Sequence, residues 1–302
     1  MKKLYIIGNG FDRYHGLPTS YECFSYFMFR EYPKVHDRVG RIFDINDPNM
    51  LWLNFEEKLG ELDVLGMVNR NLSWWVDTEK QKDFTNPFDT LYEDLVDCFH
   101  EWVIQVNKFC TNSKRIELDK NAYFISFNYT NTLQRLYGIK EEQICYIHGN
   151  TGNNELRRPI VGHGNNEYET LINEEEIRNI IEGYQQRPKW AESIDFTEEV
   201  VKEIKNLLGG LKKKPTDNIR NEKSFFDKYV SLNEIYVLGH SLADVDLPYF
   251  EKIARESSEA KWYVSYRDDD LKDLKRIAEN TCKIPFANDV KLITLDELKV
   301  IS

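Results

Sequence analysis

Short apolar runs at residues 4–7, 122–127, 144–147, 235–238, 262–265 and 290–293 lack the polar alternation of a half-exposed strand, so they read as strands buried on both faces. A shorter run at 159–161 reads the same way, stopped by Gly162-His163-Gly164. Helical periodicity fills the long intervals. Residues 20–32 carry Tyr21, Phe24, Tyr26, Phe27 and Phe29 at core spacing, ending before Pro33, and a looser segment follows. Residues 50–65 predict an amphipathic helix around Leu51, Phe55, Leu59 and Leu62, with Glu56 and Glu57 between, and another starts near Pro87 and runs to Val106. A short helix around Leu133, Leu136 and Tyr137 ends at Gly138, with Thr130 or Asn131 as its cap. Residues 167–208 are helical again, Gly209-Gly210 to Pro215 breaks them, Asp246 before Pro248 opens a helix, and 272–281 is the last.

This alternation predicts an α/β protein with a parallel sheet. Its core comes from 1–20, 120–165 and 230–302, interrupted by helical insertions at 21–118 and 167–230 within a single domain. Composition adds little that contradicts this. The chain has 302 residues, 41% hydrophobic and 30% charged, as a globular protein should. Its net charge of −11 argues against binding a nucleic-acid backbone, and Lys212-Lys213-Lys214, its dense basic run, reads as a solvated loop. No run approaches the ~18 apolar residues of a membrane span, so the expectation is a cytoplasmic protein. The five cysteines form no C-x-x-C pair, Cys98 and Cys145 read as core, and no metal site is expected.

The chemistry concentrates where strands end. The first strand runs into Gly8-Asn9-Gly10, a turn without Cβ atoms at its flanks, where backbone N–H groups can converge on a phosphate. The dinucleotide fingerprint wants a third glycine, and Arg13 stands there instead. Three more strands end alike, in Asn128, in His148-Gly149 and in Gly239-His240-Ser241. Parallel sheets bind ligands at such carboxyl ends. A strand-end Asn128 suits ribose recognition and a strand-end His148 suits general-base chemistry, while His163 and His240 are candidates either for acid–base work or for holding loops.

These residues also carry a resemblance. Ile6-Ile7-Gly8-Asn9-Gly10-Phe11-Asp12 with His15-Gly16-Leu17-Pro18-Thr19-Ser20-Tyr21 resembles the opening motif of the bacteriophage abortive-infection AbiH family. Trp52 with Phe55-Glu56, Phe127-Asn128-Tyr129-Thr130, Tyr146-Ile147-His148-Gly149, Gly162-His163-Gly164 and Gly239-His240-Ser241-Leu242 with Asp246 follow in the family's order. More distantly, Gly8-Asn9-Gly10 and Gly16-Leu17-Pro18 are similar to the opening of the sirtuin-like NAD-binding fold, with Asn128 and His148-Gly149 on its catalytic positions and Gly239-His240-Ser241-Leu242 on its phosphate and ribose turn. Thr130 replaces that fold's Asp, and the zinc cysteines of deacetylases are missing.

The resemblance implies a Rossmann-like, sirtuin-like sheet in an anti-phage protein. It implies NAD(P) or a related nucleotide as ligand or substrate, with Asn128 and His148 catalytic. Gly8, Asn9, Gly10, Phe11, Asp12, Gly16, Pro18, Gly149, His163, Gly239, His240 and Ser241 would line the cofactor site, and Asp12 and Glu56 are extra carboxylates near it. A phage-derived trigger and a homo-oligomer belong to the same expectation. The alternatives are a nucleotide sensor without turnover, or a hydrolase of another nucleotide or nucleic acid that uses His163 and His240.

Overall fold

Leu4 and Ile6 face one side of the first strand and Tyr5 and Ile7 the other, and all four are buried, as the unbroken apolar run requires. The computed structural model describes residues 2–43, 55–76, 90–109, 115–150, 159–165, 167–184, 196–267, 270–285, 287–298 and 300–301. Its strands are β1 (Lys3–Ile7), β2 (Arg115–Ile116), β3 (Tyr123–Ser126), β4 (Ile144–Tyr146), β5 (Glu234–Leu238), β6 (Lys261–Tyr266), β7 (Asp289–Thr294) and β8 (Val300–Ile301). Six of them form a parallel sheet in the order β4-β3-β1-β5-β6-β7, and β2 pairs with β8 antiparallel. The strand order turns at β1: the chain first builds outward through β3 and β4, then crosses to β5, β6 and β7 on the other side.

The chain divides into two compact units, one of residues 1–20, 100–160 and 214–302, the other of 21–99 and 161–213. In the first, two apolar layers cover the sheet. Phe127, Tyr249, Phe250, Ile253 and Trp262 pack with Leu4 and Ile6, while Phe11, Leu133 and Tyr137 pack with Tyr5 and Ile7. The helices behind these layers are Leu247–Glu256, Leu271–Thr281 and Thr132–Tyr137. Asp270 caps the second of these by accepting from the N–H groups of Lys272 and Asp273. Gly138 closes the third in the left-handed conformation at φ 68°.

The second unit is helical. It contains Tyr21–Glu31, Pro33–Phe43, Phe55–Leu59, Val64–Val76, Glu174–Glu182 and Phe196–Gly210, and takes the first part of Leu91–Asn107. Phe24 meets Phe99 edge-on at 5.0 Å and Phe55 at 6.4 Å in its core. No helix among the described residues is long and apolar enough to cross a membrane.

Several expectations need correction. The segment after Pro33 is not loose: Pro33 opens a helix in which Val39 and Ile42 are buried, because a first-turn proline lacks only an N–H that the helix does not use. The helix expected across 50–65 is interrupted after Leu59. Asp63 Oδ1 accepts from Gly66 N–H at 2.9 Å and starts a separate helix, while residues 50–54, with Trp52, lie outside the described residues, as do Pro87, Cys110 and 151–158. Tyr26 and Phe29 are not core, being 65% and 61% exposed, because Phe24, Phe27 and Met28 already fill the buried face. Residues 159–161 form no strand: Pro159 has no N–H to give, and Ile160 N–H makes a bond to His148 O at 2.9 Å. Asn131 occupies the cap position of its helix without a side-chain bond, and Thr130 turns elsewhere.

Candidate functional site

The sheet register puts the strand ends in one row. Ile7 pairs with Ser126 and with Leu238, and Ser126 pairs with Tyr146. Parallel strands keep equal rise, so the residues two steps beyond, Asn9, Asn128, His148 and His240, leave the same edge of the sheet together. This is the carboxyl edge, at the strand where the order turns.

The glycine turn is used for chain packing. Gly8 N–H donates to Leu238 O at 3.0 Å, Gly10 N–H to Gly239 O at 2.8 Å, and Phe11 N–H to Gly8 O at 2.9 Å. A Cβ on Gly8 would fall 2.5 Å from His240 Cα, and one on Gly10 would fall 2.8 Å from Gly239 Cα. A phosphate cradle made of the Gly8 and Gly10 amides is therefore not present; those donors already have acceptors. Gly239 sits at φ +67° against Phe11 N, and its own N–H donates to Ser265 Oγ at 2.7 Å. Asn9 is exposed and its side chain donates to Thr19 O at 2.9 Å, closing the loop that contains Gly16 and Pro18. Phe11 belongs to the core, tilted on His15 at 4.5 Å. Ser241 is exposed, and its carbonyl accepts from Arg276 and from Asn280, the latter at 3.0 Å.

His148 and His240 meet across one carboxylate. Asp246 Oδ1 lies 3.7 Å from His148 Nε2 and its Oδ2 lies 3.4 Å from His240 Nε2, and all three residues are buried. Leu242 N–H donates to His240 Nδ1 at 2.9 Å. That nitrogen must hold a lone pair, so the proton of neutral His240 sits on Nε2, facing Asp246. Both its nitrogens are thus committed to the protein. Phe127 stands edge-on to both imidazoles, at 5.5 Å from His148 and 4.3 Å from His240. Tyr129 stacks on His148 at 6.0 Å and donates its hydroxyl to Ile160 O at 2.9 Å. Asp246 occupies the N-cap position of the helix Leu247–Glu256 without a side-chain cap bond, and the positive end of that helix favours its charge. A carboxylate that orients an imidazole and balances its positive form is what general-base chemistry requires.

At the end of β3, beside β1, Asn128 Nδ2 donates to Gly8 O at 3.0 Å, and Thr130 Oγ1 donates to Asp12 Oδ2 at 2.6 Å. Asp12 is buried, and desolvation pushes its carboxyl up to about 6, opposed by hydrogen bonds from Thr130, Thr132 and Asn128. His15, in the same opening motif, is also buried. Its Nδ1–H donates to Phe11 O at 2.7 Å and its Nε2 accepts from Tyr137 OH at 2.6 Å; desolvation lowers its pKa.

His163 is a member of the second unit and is not placed in the row. Its Nδ1 accepts from Asn165 N–H at 3.2 Å and its Nε2–H donates to Leu208 O at 3.1 Å, so the ring is a structural brace. Beside it, Lys213 corrects the expected solvated loop. It is 4% exposed, its backbone N–H donates to His163 O at 2.9 Å, and its ammonium pairs with Glu56 at 2.8 Å. Burial of a charge needs such a partner. Among the described residues, no group of three His, Cys, Asp or Glu is placed to hold a metal ion.

Asp246 enters the sequence reading as a helix start and a motif member, and its place between His148 and His240 is what the sequence does not show. An acid just before a proline at a helix start reads as a cap, and nothing local tells that its carboxylate turns to two imidazoles from other strand ends. Comparison with curated proteins and with solved structures returns no match. The opening Gly8-Asn9-Gly10-Phe11-Asp12 and the strand-end motifs of Asn128, His148 and His240 do answer to a family description: the model of "Bacteriophage abortive infection AbiH" matches residues 4–266, and the chain belongs to that family.

Proposed function

We propose that the chain is an abortive-infection defence protein that binds NAD(P) or a related nucleotide at the carboxyl edge of its sheet and hydrolyses the N-glycosidic bond. The family supports the defence role. Counted along the chain, the six parallel strands run 3-2-1-4-5-6, which supports a Rossmann-like and, through Gly16-Leu17-Pro18, a sirtuin-like reading of the fold. The observation that carries the chemistry is His148 Nε2 set 3.7 Å from Asp246 at the same sheet edge as Asn128.

In this reaction the bond between ribose C1′ and the nicotinamide nitrogen breaks, and nicotinamide leaves with the electron pair. Water oxygen bonds to C1′, and its proton passes to His148 as positive charge leaves the ring system. With Nε2–H turned to Asp246, Nδ1 is the basic nitrogen, and the Asp246 carboxylate stabilises the imidazolium formed. Asn128 orients the ribose. The pyrophosphate takes its donors from groups other than the Gly8 and Gly10 amides, which are occupied. Of the rings that bracket His148, Tyr129 is the half-buried one, so a ligand approaches the imidazole from the Tyr129 side. A phage-derived trigger, and self-association, belong to the same proposal.

The test is nicotinamide release from NAD(P) by the full chain, alone and in lysates of phage-infected cells, beside Asn128→Ala, His148→Ala and Asp246→Asn. Release by the wild type, lowered at least about a hundredfold in His148→Ala, is expected. No release under either condition removes the hydrolase reading, and release indifferent to all the substitutions moves the chemistry elsewhere.

A further inference from the structure

His240 has no role in the proposed hydrolysis, yet its ring is tightly held. It stands edge-on to Phe127 at 4.3 Å and to Phe250 at 5.1 Å, and these two apolar walls set its plane. Its Nδ1 accepts from Leu242 N–H at 2.9 Å, two residues further along the chain. Leu242 makes that bond from the left-handed region, at φ 55°, where a bulky L-residue is a costly outlier. Its side chain is fully buried in the same apolar layer as Phe127 and Phe250, and that packing holds the turn. The turn is braced from outside as well. Ser241 O accepts from Arg276 and Asn280 on the helix Leu271–Thr281, and Asp244 pairs with Lys283 at 2.5 Å. The strained backbone thus serves a bond to one imidazole nitrogen, which leaves Nε2 to carry the ring's proton, 3.4 Å from Asp246 Oδ2.

We propose that His240 is a positioning residue for Asp246: its Nε2–H, fixed by the Leu242 bond, takes Oδ2 and so leaves Oδ1 facing His148 Nε2. The inference rests on His148 as the general base.

The two histidines are not equivalent in this arrangement. Both Nε2 atoms face the one carboxylate, at 3.4 Å from His240 and 3.7 Å from His148, and contacts of this length are common at catalytic groups before a ligand binds. A second proton on His240 would sit on Nδ1 and meet the Leu242 N–H, donor against donor. The proton released in the reaction therefore goes to His148, and Asp246 keeps its charge for the imidazolium formed there.

The experiment reads the imidazole nitrogen-15 signals of the histidine-labelled full chain at about pH 7.5, which show which ring nitrogen carries the proton. The signals are assigned by their loss in His240→Gln and in His148→Gln. In the wild type both rings are expected in the Nε2–H form. Asp246→Asn then separates them, because it keeps the side-chain shape and leaves one acceptor oxygen in place of two. With His240 setting the orientation, the amide oxygen stays with His240 and the amide nitrogen turns to His148. His148 is then expected to switch to the Nδ1–H form while His240 keeps Nε2–H. The reverse switch, or an unchanged His148, overturns the inference, and so does a wild-type His240 in the Nδ1–H form.

His240→Phe supplies a second arm, since it fills the space beside Phe127 and Phe250 without a donor. His148 is expected to lose its single tautomer there and to keep it in His240→Gln, which retains a donor near the Nε2 position. A His240 that only braced its loop would leave the His148 tautomer unchanged in both, and that result overturns the proposal too. None of these readouts needs a ligand, so their failure is separable from failure of nicotinamide release.

Discussion

Asn128 Nδ2 donates to the carbonyl oxygen of Gly8 at 3.0 Å, joining the ends of two neighbouring strands across 120 residues of sequence. The bond fixes both partners. Gly8 gains a donor for a carbonyl that faces a crowded turn, and Asn128 gains an orientation that solvent would not impose. Asn128→Ala leaves the Gly8 carbonyl with the Phe11 N–H as its remaining donor and is expected to cost about 0.5–1.5 kcal/mol in urea unfolding. Asn128→Asp places a carboxylate against that carbonyl and beside Asp12, so it is expected to be the worse variant at pH 7.5 and to approach Ala at pH 5. Equal urea midpoints for wild type and Ala would show that the tether contributes nothing.

Gly239 and Gly138 make a matched pair. Both are left-handed, at φ +67° and +68°, but a Cβ on Gly239 would fall 2.1 Å from Phe11 N, whereas one on Gly138 meets nothing within 4 Å. Gly138→Ala is expected to cost only the conformational penalty, about 1 kcal/mol. Gly239→Ala must in addition push β5 from the turn after β1, breaking the Gly10 bond, and should cost more than about 4 kcal/mol or prevent folding. Thermal melting of the two variants side by side decides it, and similar losses would mean that the turn yields.

Asp12 and His15 should drive stability in opposite directions with pH. The Asp12 carboxyl is raised from 3.8 to about 6, so the stability it contributes is fully present below 3.8 and is lost as pH rises through 6. Above that, the buried charge costs on the order of 3 kcal/mol. His15 is lowered from 6.5; its contribution is present above 6.5 and is lost as pH falls below it. Relative to wild type, Asp12→Asn should therefore gain stability from pH 4 to pH 7, while His15→Gln should gain on acidification below 6.5. Unfolding free energies across that range test both, and a pH-independent difference for either variant contradicts its assignment.

Much of the fold is legible along the chain because buried parallel strands need unbroken apolar runs, and 4–7, 122–127 and 235–238 have them. The carboxyl-edge row is legible in part: Gly, Asn and His at successive strand ends are local facts, and parallel pairing does the rest. Pro33 misleads because a proline that ends one helix can open the next. Lys213 misleads because three consecutive lysines look solvated until a carboxylate from a distant helix, Glu56, is placed against one of them.

The sequence by itself determined the α/β alternation, the glycines at β1 and β5, and the residue types Asn128, His148 and His240 at strand ends. These follow from periodicity and from backbone geometry, which act over a few residues. Only the tertiary structure decided how the donors and acceptors pair. It turned Asp246 from a helix cap into the carboxylate between two imidazoles. It committed the Gly8 and Gly10 amides to β5 instead of a phosphate, and set the hydroxyl of Thr130 on Asp12. Hydrogen-bond partners are chosen by which groups the folded chain brings within about 3 Å in the absence of water, and no spacing along the sequence encodes that distance.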